Sequence, residues 1–145
     1  MLSENDIIWK RAQFLAQRSQ ITELRSMTLL IMYDLAMPLN CAGFDYIKNV
    51  VPLALIRPSQ IVLKELFLEV GAHYDPKVGY SIMDTAVRDV IRMSWNGVRR
   101  ERWNYYFPSY MLQRNKPPSN AEFIAGMVYF LEMWQGCCKE VNHAE

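Results

Sequence analysis

YSIMDTAVRDVIRMSW, residues 80–95, separates into two faces when projected at 100 degrees per residue. Met83, Ala86, Val87, Val90, Ile91 and Ser94 share one face, while Ser81, Asp84, Thr85, Arg88, Asp89 and Arg92 share the other. The apolar set predicts a helix over 81–95 packed on a core. The polar set has two readings. It is either a solvated surface, as charged helix faces ordinarily are, or a surface that enters a major groove, where arginine pairs with guanine and short polar side chains reach base edges or phosphates. Periodicity does not choose between them.

The flanking sequence narrows the choice of fold. Upstream, Ser59 is placed to cap a helix over 60–73, and the loop HYDPKVG then leads into the quoted stretch. Two helices joined by a short turn are the outline of a helix-turn-helix. Residues 5–19 predict a first helix, with Ile7, Ile8, Phe14 and Leu15 set among charges. Residues 21–36 predict a second, ending near Met37 because Pro38 disfavours helical geometry in the residue before it. A third is expected over 43–56, bent or split by Pro52. NGVRRERWNYYFPSYMLQRNKPP carries turn and charge signals around a short aromatic helix. SNAEFIAGMVYFLEMWQGCCKE is a last helix, with Ser119 or Asn120 as cap and Glu122 in its first turn, where the helix dipole favours negative charge. With no repeat, no low-complexity tract and no Gly/Ser linker, the expected fold is an all-α, compact multi-helix domain.

Composition limits the function. The chain of 145 residues is 51% hydrophobic and carries a formal net charge of +1, so nothing global drives it toward nucleic acid, membrane or an acidic substrate. Charge is local instead: between residues 80 and 116, seven basic side chains face three acidic ones. This suits a face that meets phosphates. The neighbouring Trp103, Tyr105, Tyr106 and Phe107 read as packing residues. Cys41, Cys137 and Cys138 suit reduced thiols in a cytoplasm better than a disulfide framework. The start lacks a secretory pattern, and the most apolar run is too short and carries Asp34, so no membrane span is expected. Adjacent cysteines and two scattered histidines do not make a metal site. No phosphate loop or nucleophile motif is present, so neither a cofactor nor an enzyme is expected.

Four segments in order resemble the C-terminal DNA-binding effector domain of the response regulator that initiates sporulation. LIMYDLAMPLNCAGFDYIKNVV matches in Met37-Pro38, Gly43, Phe44, Tyr46, Ile47 and Lys48. LFLEVGAHY, residues 66–74, is similar to the first helix of that family's helix-turn-helix. The quoted stretch is similar to its recognition helix through Ser81, Asp84, Ala86, Val87, Arg88, Ile91 and Trp95. PSNAEFIA, residues 118–125, resembles the family's Pro-Thr-Asn-Ser-Glu-Phe-Ile-Ala. The resemblance spans roughly residues 25–133 and implies a recognition helix in the major groove of double-stranded DNA. Two further family arginines are Ile82 and Thr85 here, the family glutamate is Asp84, and the turn is longer by Val78 and Gly79.

On this reading residues 21–145 form the effector-like domain and residues 1–20 an amphipathic helical extension. Ser81, Asp84, Thr85, Arg88 and Arg92 are the expected base-reading residues; Asn40, Lys77, Arg99, Arg100 and Lys116 are the expected phosphate contacts. About 20 residues precede the resemblance, far fewer than a domain needs, so control by a receiver domain of its own is not expected. The first helix either packs onto the domain or joins a homodimer through its Ile7 and Phe14 face. The alternative function is a protein interaction module that kept the fold and lost base reading. It is motivated by Ile82, Asp84 and Asp89, because carboxylates near phosphates are costly without a specific partner.

Overall fold

Ser3 begins the first helix through a reciprocal cap, its hydroxyl accepting from the Asp6 backbone N–H while the Asp6 carboxylate accepts from its own. A computed structural model of the chain describes residues 3–57, 62–109 and 115–143, with side chains described as far as 140. The described residues form α1 (Glu4–Arg18), α2 (Leu24–Asp34), α3 (Ala42–Ile56), α4 (Leu63–Gly71), α5 (Tyr80–Gly97), α6 (Arg100–Tyr106) and α7 (Asn120–His143). The fold is all-α.

Where helices begin and end, local chemistry decides. α2 stops at Asp34, earlier than Pro38 alone would require, because Ala36 adopts a left-handed conformation (φ 52°). The Met37 N–H then returns to the Met32 carbonyl at 3.1 Å, closing a Schellman-type end. Pro52 does not split α3, which continues through it to Ile56; the missing hydrogen bond is outweighed where Val50 and Val51 are fully buried beside it. The expected cap Ser59 lies outside the described residues, and α4 is described from Leu63. α7 is capped by Ser119, whose hydroxyl accepts from the Glu122 N–H (3.1 Å) while the Glu122 carboxylate accepts from the Ser119 N–H (3.0 Å).

α3 and α7 form the centre, and α5 lies across α3 with α4 beside it. At the α3–α5 crossing Gly43 is buried against the Ala86 carbonyl, too close for any Cβ. Gly71 meets the Val78 carbonyl in the same way and accepts the Val78 N–H at 3.0 Å, which folds the turn back onto α4. Ser94, fully buried on α5, donates to the Leu35 carbonyl and ties α5 to the end of α2. α1 packs chiefly along α7, and its Ile8, Ala12 and Ala16 join the common core.

The turn after α4 is held by Tyr74, which donates to Asp45 and accepts from Asn49 Nδ2 at 2.8 Å, while Lys48 pairs with Asp45 at 2.7 Å. The hydrogen bond from Lys48, then that from Tyr74, keeps the Asp45 carboxyl below its ordinary range. Burial, then the bond to Asp45, pushes the Tyr74 hydroxyl up to about 12. A depressed carboxyl contributes stability that is lost as pH falls through its folded value. A raised phenol contributes stability that is intact below its ordinary value near 10 and is lost as pH climbs toward about 12. Thermal melts of wild type and Tyr74→Phe should therefore converge on going from pH 9 to pH 12; a constant gap would remove Tyr74 from the alkaline response.

Candidate nucleic-acid interface

α4, the turn over residues 72–79 and α5 make a helix-turn-helix whose second helix presents its polar face outward. Met83, Val87, Val90, Ile91 and Ser94 are buried, whereas Ser81, Thr85, Arg88, Asp89 and Arg92 are exposed. The first turn of α5 begins after Gly79 with no side-chain cap. A helix start without a side-chain cap is the arrangement in which a phosphate oxygen can be received. Lys77 is exposed two residues earlier.

Arg88 is oriented rather than loose. Its guanidinium donates to Asp84 at 2.6 Å, one helical turn back, with the arginine side chain about half exposed (49%) and the aspartate mostly covered (18%). Asp84 in turn accepts from Asn120 Nδ2 at 2.8 Å through its carboxylate and at 2.9 Å through its backbone carbonyl. Asp84 thus links Arg88 on its own helix to Asn120 at the start of α7.

The structure brings several expected residues together. Arg88, Arg92 and Lys116 line one cleft with Pro118, Ser119 and Glu122, so that three cations from two segments meet beside one carboxylate at the start of α7. Neither Arg92 nor Lys116 makes an ion pair among the described residues. Ser81, Thr85 and Asp89 line a neighbouring shallow depression with Ile82. Asn40 is exposed in the turn before α3, the helix that crosses α5. Arg99 is exposed at the start of α6. Arg100 is differently placed: its guanidinium lies 3.5 Å from the Trp95 ring centre and donates to the Trp95 carbonyl at 2.8 Å, closing the end of α5. It packs the domain as much as it offers charge.

Sequence reasoning placed Asn120 only as a cap. Its bonds to Asp84 join residues 36 positions apart, and no local pattern announces them. Among the described residues no group of three or more histidine, cysteine or acidic side chains could hold a metal ion, and no helix is long and apolar enough to cross a membrane.

The family described as "Sporulation initiation factor Spo0A C terminal" matches residues 28–131, from early α2 into the middle of α7. No curated protein and no solved structure matches the chain.

Proposed function

This chain belongs to the sporulation initiation factor Spo0A C-terminal family, a DNA-binding effector type, and we propose that it is a sequence-specific transcription regulator that reads double-stranded DNA with the exposed face of α5. The observation that carries this reading is the cleft shared by Arg88, Arg92 and Lys116 on that face. Arg88 is the main base-reading residue, presented by Asp84; Ser81, Thr85 and Arg92 support it. Lys77, Asn40, Arg99 and Lys116 meet phosphates, with Arg100 contributing from its seat on Trp95.

The test is fluorescence anisotropy of the unmodified chain on duplexes selected from random DNA. Arg88→Ala should lose about 1–3 kcal/mol on the selected site and relax preference at one base pair, whereas Arg99→Ala should weaken all duplexes alike. Affinity should also fall steeply with salt as counterions are released. An Arg88→Ala protein that discriminates as well as wild type would remove the residue from base reading.

One observation favours a second reading. Ile82 is 65% exposed on the same face, beside the exposed Asp89, and both suit a protein partner better than a phosphate backbone. If this face is a protein interaction module, no duplex binds even at low salt, where attraction to phosphates is strongest.

Assembly extends the proposal. On α1, Ile7 and Phe14 remain exposed and share a shallow apolar strip with Tyr105 of α6. Two copies joined there would present two recognition helices to paired half-sites. Phe14→Glu should then shift a sedimenting dimer to monomer and lower affinity for a paired site more than for a half-site; a wild-type chain monomeric at all concentrations, with or without DNA, excludes this pairing.

A further inference from the structure

Asn120 is 6% exposed, and its amide nitrogen reaches two oxygens of one residue, the backbone carbonyl and the carboxylate of Asp84. Since both partners only accept, the amide orientation is fixed by them. The amide oxygen is then left buried with no hydrogen-bond partner among the described residues. Burying an acceptor without a partner is unfavourable, and a smaller side chain at the start of α7 would avoid it. Ser119 already caps the helix, so capping does not require Asn120. What Asn120 does is hold Asp84 from outside its own helix.

Asp84 is the group that Arg88 donates to, at 2.6 Å. An exposed arginine one helical turn from an aspartate ordinarily samples many rotamers, because such pairs contribute little. Here the aspartate cannot swing away, since its other oxygen is engaged by Asn120. The pair is therefore pre-organised, and ordering Arg88 before contact lowers what must be immobilised on binding.

We propose that Asn120 is a positioning residue for DNA reading: it locks Asp84, and through Asp84 it fixes the guanidinium of Arg88 in the orientation that meets the base. This inference rests on the reading of Arg88 given above and adds the start of α7 to the recognition unit.

The experiment uses the whole chain, the selected duplex and its variants at the base pair whose preference depends on Arg88. Asn120→Ala should lose roughly tenfold in discrimination at that pair, part of the loss caused by Arg88→Ala, with the salt dependence unchanged. Asn120→Ser, which keeps a donor, should retain part of it. Leu131→Ala, in the buried middle of α7, should lower the melting temperature and leave discrimination intact in folded protein. In parallel, the Arg88 Nε–H signal in nitrogen-resolved NMR should be ordered in wild type and averaged in Asn120→Ala. Unchanged Arg88 order in Asn120→Ala overturns the proposal, and so does unchanged discrimination. If Arg88→Ala itself leaves discrimination intact, the base-reading role fails instead, and the NMR signal alone decides whether Asn120 fixes Arg88.

Discussion

Replacing Gly43 with alanine is expected to destabilise the protein by about 2 kcal/mol and to blunt sequence discrimination in the molecules that remain folded. Two effects compete. Alanine favours a helix interior over glycine by about 1 kcal/mol, while inserting a methyl group into a closed crossing costs typically about 1–3 kcal/mol and occasionally more. At Gly43 the obstacle is the Ala86 backbone, with its carbonyl carbon and Val90 Cγ2 each 2.7 Å from where the Cβ would sit. A side chain could rotate aside; a helix backbone cannot. The upper end of the cost therefore applies, and α5 must lift from α3. Because Ala86 lies between Thr85 and Arg88, the lift displaces the reading face and strains the Asp84–Asn120 bonds. Chemical denaturation combined with anisotropy on matched and mismatched duplexes measures both consequences. Equal stability would mean that the two helices separate without cost, and equal discrimination would mean that the face does not depend on the crossing.

The same crossing shows what could be read from sequence. Both faces of α5 followed from spacing alone, since every residue placed inward is buried or partly buried and Ser81, Thr85, Arg88, Asp89 and Arg92 are exposed. Asp84 is the exception within the outward set. Its partner lies on another helix, and periodicity contains no information about such a bond. Helix ends were legible only where a side chain caps or a proline forbids. Ser119 with Glu122 was readable as a cap for that reason, whereas the left-handed turn at Ala36 was not, because alanine gives no local sign of it. Proline at 52 signalled a break that packing overrides.

For α1 the pattern alone did not choose between packing and pairing. Ile7 and Ile8 both look apolar in sequence, but they lie 100 degrees apart on a helix. Only Ile8 faces α7 and is 1% exposed, while Ile7 is 39% exposed. Arg100 teaches the same lesson with charge. Counting it among phosphate contacts follows from composition, yet the Trp95 ring and carbonyl hold it against the domain. Local charge marks a surface; only tertiary structure says which cations on it are committed elsewhere.

Trp103→Ala should have the largest effect on stability, a loss of about 3–5 kcal/mol. The ring is fully buried and meets Trp95, Phe107 and Phe123 at centroid distances of 5.5, 5.1 and 5.9 Å. It thereby joins the last turn of α5, the end of α6 and the first turn of α7. The indole N–H has no acceptor among the described residues, so truncation removes none of the described hydrogen bonds and the expected loss is one of packing. Trp103→Phe should for that reason recover most of the loss. Against a total stability of about 5–15 kcal/mol for a domain of this kind, the alanine variant stands near the unfolding threshold. The contrast with Gly43 is in mechanism. Trp103 supports the cluster behind α5 but not the Asp84–Arg88 pair, so DNA affinity in Trp103→Ala should fall with the folded fraction and discrimination should persist. Calorimetry and anisotropy on one preparation separate the two. Discrimination lost while the protein is still folded would show that the aromatic cluster, and not the Gly43 crossing alone, sets the angle at which α5 is presented.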